Sequence, residues 1–420
     1  MASEDSGTIG RRQFLTRGAL AGAGLLAAPS LIAACSTPAA SAAPSVTPTG
    51  AASVPPSVAP SASAAGFGTP NTGTSLKDFK PFAPSTTVGA KPPVPSSFAY
   101  TVPAASEYFS GLSDAAKQAA AERGITYEGL VISDGDPVKN IDQMNQLLQK
   151  GIGGLWIQPE DSPAQGAVIL KAIPQGVLTA FSGHPATIQM MADQYDLGYQ
   201  QALGAVQWIK DNLGGTATVM SFILDHIEIL IPRRQGTLDA LKTGGAGITI
   251  LEQELQKINA DEGFEFVSTL LQAHPEINVW LGPDDSLLGV DSFLLSKNHD
   301  PATEKILLSG LAGTEAGLTA MASGKSFFRH SYGFNNFLIG YALGQYMADW
   351  FEGKQVPQVL QGRCIPMTKP EDIPAFHALV KDPAASFAKL SGGDYETQGL
   401  AAWGQVSYDT HMNYTANAVT

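Results

Sequence analysis

Apolar residues along the chain follow two spacings, one typical of amphipathic helices and one typical of buried strands. In residues 266–271 they recur at i, i+1, i+4 and i+5, so one helical face is apolar, and Pro275 ends that helix. Residues 277–281 are a short apolar run, and Asp284 or Asp285 can accept backbone N–H bonds where the next helix starts. The pattern predicts a strand followed at once by a helix, whose junction opens onto a crevice where α/β sheets bind ligands.

The same alternation of strand-like and helix-like segments continues through residues 97–351. Strands that alternate with helices over short loops predict parallel sheets covered on both faces, which is the α/β class. The rhythm restarts after residues 189–192, and two sheets of about five strands suit the length better than one very wide sheet. Residues 370–420 have weak periodicity, so we expect an extension that wraps a domain. Strands are predicted at 98–102, 126–133, 154–158, 177–181, 216–223, 248–255, 277–281, 306–309 and 327–332, and helices at 108–123, 140–150, 162–173, 197–212, 234–243, 262–274, 286–298, 314–323 and 337–351.

Composition narrows the possible functions. The chain has 420 residues, 44% of them hydrophobic, which is enough for at least two cores. A net charge of −13, with only 15% charged residues, argues against a nucleic-acid partner, because phosphate binding needs a concentrated basic surface. One of the two cysteines, Cys35, falls in the leader, so Cys364 is the single thiol of the folded part. The histidines and paired aspartates lack metal-ligand spacing, so neither a metal nor a cofactor is predicted.

The first 95 residues predict a leader and a tether. A basic stretch precedes an Ala/Gly-rich run that is interrupted by Pro29, too short and broken to span a membrane. We therefore predict a signal peptide over residues 1–34. Residues 35–95 are nearly all Ala, Ser, Pro, Thr, Gly and Val, which bury too little apolar surface to offset the entropy of ordering. This composition predicts a disordered tether.

Two motifs in the leader resemble known export signals. Arg11-Arg12 and the residues after it resemble the twin-arginine signal, although Thr16 stands where a lysine is usual. Residues 31–35 resemble a bacterial lipoprotein box, with Cys35 as the lipidated residue. The resemblance implies a protein outside the cytosol, in the periplasm or on the outer face of the cell membrane, held there by a lipid anchor.

Three motifs of the folded part carry a family resemblance. Tyr108-Phe109 begins a predicted helix, residues 158–162 read Gln-Pro-Glu-Asp-Ser after a strand, and residues 270–277 read Leu-Leu-Gln-Ala-His-Pro-Glu-Ile before Asp284. With this order of elements, the chain resembles the sugar-binding proteins of bacterial ABC importers, of the ribose-binding type. The resemblance implies the type I periplasmic binding protein fold, in which two Rossmann-like lobes close on one small ligand.

The resemblance also implies how the chain divides. We expect an N-terminal lobe of residues 96–192 plus 334–362, a C-terminal lobe of residues 193–333, and a C-terminal extension of residues 363–420. Three crossings should join the lobes, near residues 192–194, 333–335 and 359–364.

Binding residues carry over only where the sequence matches. Tyr108 and Phe109 match the aromatic pair of the family, with Ser106 at the polar position before it. Arg233 matches the arginine that binds ligand hydroxyls from the second lobe, and the adjacent Arg234 is the alternative match for that position. A core role for the rings and a surface role for Arg233 remain open.

Elsewhere the sequence departs from the family. Phe181-Ser182 replaces an Asp-Arg pair, Pro283 an asparagine, Ala312 an aspartate and Tyr332 a glutamine. Asp284 persists, either as a helix cap or as a ligand contact. With so few planar hydrogen-bonding groups, a pentose, polyol or modified sugar is a better expected ligand than glucose or galactose. The expected ligand-binding residues are Ser106, Tyr108, Phe109, Phe181, Ser182, Arg233, Asp284 and Tyr332, with Glu107, His184, Asp285 and Asn335 as further sources of hydroxyl pairing.

The sequence therefore predicts a monomeric, lipid-anchored receptor that passes a small carbohydrate to an ABC permease, and no enzymatic activity. One alternative is a surface carbohydrate-active enzyme on the same scaffold, with Glu107 and Asp284 as paired carboxylates across the cleft. Another is the ligand-binding component of a signalling system, which the sequence does not separate from a transport receptor.

Overall fold

Two β-sheets, each flanked by helices, organise the computed structural model, which describes residues 79–84, 86–183, 185–391 and 398–413. The predicted leader, Cys35, most of the predicted tether and His184 lie outside these residues. Within them, no helix combines the length and the apolar character needed to cross a membrane.

The elements are numbered in chain order. The strands are β1 (Ser97–Val102), β2 (Thr126–Ile132), β3 (Gly154–Ile157), β4 (Leu178–Phe181), β5 (Ile188–Ala192), β6 (Ala217–Ile223), β7 (Ile248–Glu254), β8 (Ile277–Pro283), β9 (Leu307–Ala312), β10 (Phe328–Gly333), β11 (Val359–Gly362), β12 (Ile365–Met367) and β13 (Leu400–Trp403). The helices are α1 (Glu107–Arg123), α2 (Pro137–Gln149), α3 (Ser162–Ala172), α4 (Gln194–Leu213), α5 (Ile231–Lys242), α6 (Ala260–Ala273), α7 (Asp284–Ser296), α8 (Glu315–Ala322), α9 (Asn336–Phe351), α10 (Ile373–Lys381) and α11 (Pro383–Ser391).

Each sheet is the centre of one lobe. The sheet of the N-terminal lobe has the order β13-β11-β5-β4-β3-β1-β2, and that of the C-terminal lobe has the order β12-β10-β9-β8-β6-β7. Neighbouring strands are parallel except at one edge of each sheet, where β13 runs antiparallel to β11 and β12 antiparallel to β10. The predicted α/β class with two parallel sheets is confirmed. The sheets are wider than expected because the short strands β5, β11, β12 and β13 are added to the predicted ones.

Most helices that follow a strand have an N-cap residue with a polar side chain. The oxygen of this side chain accepts a backbone N–H from the first turn of the helix, where N–H groups have no partner within the helix. These caps fix where each helix starts and hence which side chains stand at the carboxyl edge of the sheet. The capping residues are Ser106, Asp136, Asp161, Asp193, Asn259, Thr314 and Asn335.

Within the described residues, the chain passes from one sheet to the other at four places. Three of them lie between β5 and α4, between β10 and α9, and between β11 and β12. The fourth lies between α10 and α11. Phe376 of α10 is buried in the core of the C-terminal lobe, whereas Phe387 of α11 packs on Tyr341 and Tyr346 of α9. The C-terminal extension thus contacts both lobes.

The end of the predicted tether belongs to the N-terminal lobe. Phe82 is 3% exposed, and its N–H donates to the carbonyl oxygen of Ala402 at 2.8 Å. Pro81 forms a β-bridge with Trp403. The ring of Phe82 gives this stretch the buried apolar surface that the segment as a whole, rich in small and polar residues, lacks.

Glycines allow three pairs of helices to pack at backbone contact. A Cβ atom at Gly340 of α9 would overlap the carbonyl oxygen of Leu112 in α1. Gly198 meets α5 and Gly263 meets α7 in the same way, each against a carbonyl oxygen of the neighbouring helix. The close approach of these helices therefore requires residues without side chains.

We expect Gly340→Ala to destabilise the N-terminal lobe by about 1–3 kcal/mol, because α9 must move away from α1 to admit a methyl group. The matched control is Gly111→Ala in α1, where a Cβ would lie 3.4 Å from the ring of Phe337, an ordinary contact. Since alanine is the better helix former, Gly111→Ala should leave stability unchanged or slightly raised. Calorimetric unfolding of both variants checks this, and equal midpoints would contradict it.

Candidate functional site

The carboxyl ends of the parallel strands of both sheets face each other at the boundary between the lobes, the position where ligands bind in open α/β sheets. The loop after β1 leads into α1, and the first turn of α1 reaches the other lobe. There the carboxylate of Glu107 accepts the backbone N–H of Glu315, the first residue of α8, at 2.8 Å. This bond joins the two lobes on one side of the cleft.

The aromatic pair lies in the first turn of α1. Ser106 caps that helix, and its Oγ accepts the backbone N–H of Phe109 at 3.2 Å. The rings of Tyr108 and Phe109 meet edge to face, with centroids 5.2 Å apart. Tyr108 also packs against a cluster of residues from the hinge side of the C-terminal lobe, Leu197, Leu311, Tyr332 and Phe334. Tyr108 is therefore at the lobe boundary, which supports the predicted place of the pair.

Arg233 approaches Tyr108 from the C-terminal lobe. Its Nε and Nη2 both donate to Oε1 of Gln194, at 3.0 and 2.6 Å, and Gln194 stands at the first crossing. Burial lowers the pKa of Arg233 to about 10, while Tyr108 and Cys364 nearby oppose that shift. The guanidinium is thus held in place by a neutral amide and stays charged at neutral pH.

The neighbouring Arg234 has a different environment. Its Nε and Nη2 pair with both carboxylate oxygens of Glu252 at 2.6 Å, and its Nη1 pairs with Asp225 at 2.7 Å. These carboxylates belong to the same lobe. The sequence leaves open which of the two arginines matches the family position, and the geometry supports Arg233 as the one that lies towards the other lobe.

Asp284 is buried inside the C-terminal lobe and does not cap α7, whose N-cap is Pro283. Its Oδ2 accepts the N–H of Thr314 at 2.8 Å and the hydroxyl of Ser331 at 3.0 Å. Burial raises the pKa of Asp284 to about 7, against these hydrogen bonds. The carboxylate therefore links the start of α7 to the N-cap of α8 and to β10, all within its own lobe. It is not the N-cap of α7, and its contact with a ligand stays a prediction.

Two other expected binding residues have packing roles. Phe181 is fully buried in the core of the N-terminal lobe. Tyr332 is 2% exposed, and its hydroxyl points at Gly204 of α4, where a Cβ atom would overlap it. Ser182 follows β4 and is only partly buried, at the carboxyl edge of that sheet. Asn335 is buried at the second crossing, where it caps α9 and donates to the carbonyl oxygen of Gln398 at 3.1 Å.

Comparison with known proteins adds to this geometry. Residues 98–328 match the family model described as a periplasmic binding protein domain. The chain belongs to this family. The resemblance that the motifs predict is therefore confirmed, and the match begins in β1 and ends in β10, so it takes in both lobes.

This periplasmic binding protein has relatives of known name and of known structure. It is 27% identical to the ribose import binding protein of Bacillus subtilis (strain 168) over 231 residues, which is 52% of this chain and 70% of that protein. A twin-arginine translocation pathway signal protein from Burkholderia phytofirmans shares the fold with a TM-score of 0.61 at 19% identity, covering 74% of this chain and 98% of that one. A Mycobacterium smegmatis protein in complex with β-D-fucofuranose has a TM-score of 0.61 at 18% identity, covering 69% and 96%.

The structure also brings together polar residues that the motifs did not single out. At the carboxyl edge of the N-terminal sheet, Glu160 accepts the hydroxyl of Ser133 at 2.6 Å and the amide of Asn140 at 2.8 Å. Burial raises the pKa of Glu160. Gln158 donates to the hydroxyl of Tyr100 at 2.7 Å. The turn over residues 158–162 carries this network, so the motif did mark the region, although not its bonding.

One apolar loop crosses the boundary between the lobes. Ile229 lies in the short helical turn between β6 and α5, and it packs against the core cluster of the N-terminal lobe. Ile227 and Leu230, beside it, pack on the core of their own lobe. The signal in the sequence is a run of isoleucines and leucines where a polar loop is usual, at residues 227–231.

The raised pKa of Asp284 makes stability depend on pH. The folded protein keeps the proton up to about pH 7, whereas an unfolded aspartate releases it near its usual pKa of 3.8. The contribution of Asp284 to stability is therefore full below about pH 4 and is lost as the pH rises towards 7. We expect Asp284→Asn, which cannot ionise, to flatten this part of the curve of unfolding free energy against pH. Denaturant unfolding from pH 4 to 8 checks it; parallel curves would contradict the assignment.

Proposed function

We propose that this protein is the extracytoplasmic solute-binding component of an ABC importer, which captures a small carbohydrate between its lobes and presents the closed form to a permease. The observation that carries the proposal is the position of Tyr108 and Arg233 at the boundary between the lobes of a periplasmic binding protein, where each residue is close enough to shift the pKa of the other. A related fold from Bacillus halodurans has been solved with bound myo-inositol, at 16% identity and a TM-score of 0.58. The Bacillus subtilis relative is named for ribose import.

The chemistry of the cleft supports a polyhydroxylated ligand. An aromatic face covers the C–H surface of a sugar or polyol, and a planar guanidinium pairs with neighbouring oxygen atoms. The pairing matters because a buried hydroxyl without a partner costs about 1–3 kcal/mol. Asp284, Phe181 and Tyr332 are engaged inside their own lobes, so fewer groups remain to pair with hydroxyls than in a pyranose site. A pentose, a polyol or a modified sugar suits this set.

Closure supplies the signal that the permease reads. A ligand that contacts both lobes binds the closed form better than the open form, and it shifts the equilibrium only by that difference in affinity. In the closed arrangement Glu107 bonds to Glu315 and Ile229 packs against the other lobe. Because separation of the lobes would break both contacts, they favour the closed form together with the ligand.

We further propose that the mature protein is a monomeric lipoprotein anchored through Cys35. The support is the coincidence of a twin-arginine motif with a lipoprotein box in the leader. The tether after Cys35 would end near residue 80, where the chain joins the edge of the N-terminal sheet. Labelling of cells with a fatty-acid analogue, with a Cys35→Ala control, tests the anchor.

The alternative of a glycosidase has less support from the geometry. It requires two carboxylates that face each other across the cleft, and its second member, Asp284, is buried and bonded to Thr314 and Ser331. Glu107 remains exposed at the boundary and bonds to Glu315. We therefore favour binding over hydrolysis.

Calorimetry of the full chain without its leader tests the proposal. The panel contains ribose, ribitol, xylitol, myo-inositol, glucose and galactose, and small-angle scattering follows the overall shape. We expect saturable binding of at least one pentose or polyol at one site per chain, together with a fall in the radius of gyration. Tight glucose binding without any polyol binding would overturn the ligand class. Turnover of an added glycoside would overturn the receptor function itself.

A further inference from the structure

The positive charge of Arg233 has no counter-ion among the residues whose side chains the structure describes. Its hydrogen bonds go to the amide oxygen of Gln194, and no described carboxylate lies within salt-bridge distance of it. The adjacent Arg234 serves as an internal comparison, since it pairs with the carboxylates of Glu252 and Asp225. Among the side chains that the structure describes, carboxylates thus neutralise Arg234 but not Arg233, which lies partly buried at the cleft.

The helix that carries Arg233 adds positive potential at the same place. Helix α5 has twelve residues, its N-cap Leu230 offers no side-chain acceptor, and its first turn contains no acidic residue. The aligned peptide dipoles at the amino end of a helix favour negative charge. Arg233 is in that first turn, so its guanidinium and the helix dipole both make the electrostatic potential positive at the same place.

A small cavity beside Arg233 has no acidic lining. It lies where β6, β8 and β9 end, and Ser221, Leu224, Leu230, Arg233, Pro283 and Leu311 are among the residues that surround it. The acidic residue Asp196, at the start of α4, is close enough to Cys364 to help raise its pKa, but it forms no ion pair with Arg233. The other acids near the cleft have different places. Asp284 is buried and bonded within its lobe, and Glu107 and Asp285 stand at the starts of α1 and α7, where Glu107 bonds to α8 and is close enough to Asp285 to help raise its pKa.

We infer that the modified sugar bound by this protein is a sugar acid, whose carboxylate pairs with the Arg233 guanidinium at the start of α5. The inference rests on the proposed function and narrows its substrate class. A carboxylate matches the planar fork of arginine with two parallel hydrogen bonds, and such charge-assisted bonds are about twice as strong as neutral ones. Tyr108 would then cover the carbon chain of the same ligand from the opposite lobe.

Matched pairs of ligands test the inference, because each pair differs only in whether a carbon is a carboxylate or an alcohol group. We choose D-ribonate with ribitol, D-gluconate with glucitol, and D-galacturonate with D-galactose, measured by calorimetry on the full chain without its leader at pH 7. At least one acid should bind tenfold or more tightly than its neutral partner. Arg233→Gln should remove that preference and weaken the acid far more than the alcohol.

Arg329→Gln is the control, since it removes a positive charge of the same lobe near the amino end of β10, where Arg329 donates to the carbonyl oxygen of Pro301. It should leave the preference for the acid intact. If the neutral member of each pair binds as tightly as the acid or more tightly, the inference is wrong and the proposed function stands. If the acids keep their preference in Arg233→Gln, the carboxylate is bound elsewhere. If no member of any pair binds, and the wider panel of sugars and polyols fails too, both proposals fall.

Discussion

Removal of residues 369–420 is expected to abolish the cooperative unfolding of the N-terminal lobe. This segment supplies β13, whose Leu400 is fully buried and which pairs with β11 along its whole length. It also supplies Leu390 and Val406 to the same core, and Ile373 and Phe376 to the core of the C-terminal lobe. At about 1.5–3 kcal/mol for each large buried side chain, the loss is similar to the whole stability of a typical domain, about 5–15 kcal/mol.

The truncated chain and the full chain are compared by circular dichroism and calorimetry. We expect the truncated chain to lose most of its unfolding enthalpy or to fail to accumulate as a soluble protein. A milder variant keeps the prediction open to test where the truncation does not fold: Leu400→Ala should cost about 2–5 kcal/mol, as for other buried leucines. Leu203→Ala, at a 38% exposed position of α4, is the matched control and should cost much less. An unfolding midpoint of Leu400→Ala equal to that of the control would contradict the role given to β13.

The extension also affects the hinge. Asn335 at the second crossing donates to the carbonyl oxygen of Gln398, and Arg363 at the third crossing donates its N–H to the carbonyl oxygen of Gly399 at 2.9 Å. Phe376 packs beside Gly313 and Gly333, where β10 ends at the second crossing. Because these contacts join two of the described crossings, we expect the extension to restrict how far the lobes separate and to lower the free energy that a ligand must supply to close them.

Much of the fold could be predicted because its signal is local. Except for β5, the strands and helices from β1 to α9 follow from apolar spacing, and the caps at Ser106 and Asp161 mark helix starts. The strands β5, β11, β12 and β13 were missed because three to five residues are too few to show a period. Their place depends on partners far along the chain, as for β13 and β11. The resemblance implied three crossings between the lobes, and the described part of the weakly periodic extension adds a further one between α10 and α11.

The candidate site was predictable at the residues that a motif fixes and not where tertiary packing decides. Tyr108 and Arg233 reach the lobe boundary. Tyr332 was expected there, yet its hydroxyl fills the space that Gly204 leaves in α4. Asp284 is likewise drawn inward, because Gly310 and Gly317 leave room for its carboxylate beside Thr314. The apolar pattern of a strand does not indicate which glycine, in an element far along the chain, leaves space for a given side chain. Gln194, which holds Arg233, carries no signal in the sequence beyond its place at a crossing.

Arg233→Ala and Tyr108→Ala are each expected to weaken ligand binding tenfold or more, with a double variant that is only slightly weaker than the worse single one. The two side chains contact the ligand from opposite lobes, so either loss removes the free energy that favours closure. Once the lobes stay apart, the remaining group no longer reaches the ligand. The effects should therefore be far from multiplicative, with a coupling of about 1–3 kcal/mol. Calorimetry with the tightest ligand of the panels measures the four affinities.

Tyr195→Ala is the control for the loss of an aromatic ring, because Tyr195 is 41% exposed on α4 and bonds to Asp239. It should leave affinity unchanged. Unfolding of each variant without ligand separates binding from stability. No described carboxylate pairs with Arg233, so its removal should shift the unfolding midpoint only slightly. Loss of the Tyr108 ring at the lobe boundary should lower the midpoint more. Unchanged affinity of Arg233→Ala would remove that residue from the site. Fully multiplicative losses would mean that the two groups act independently, and the ligand would then bind to one lobe without closing the other upon it.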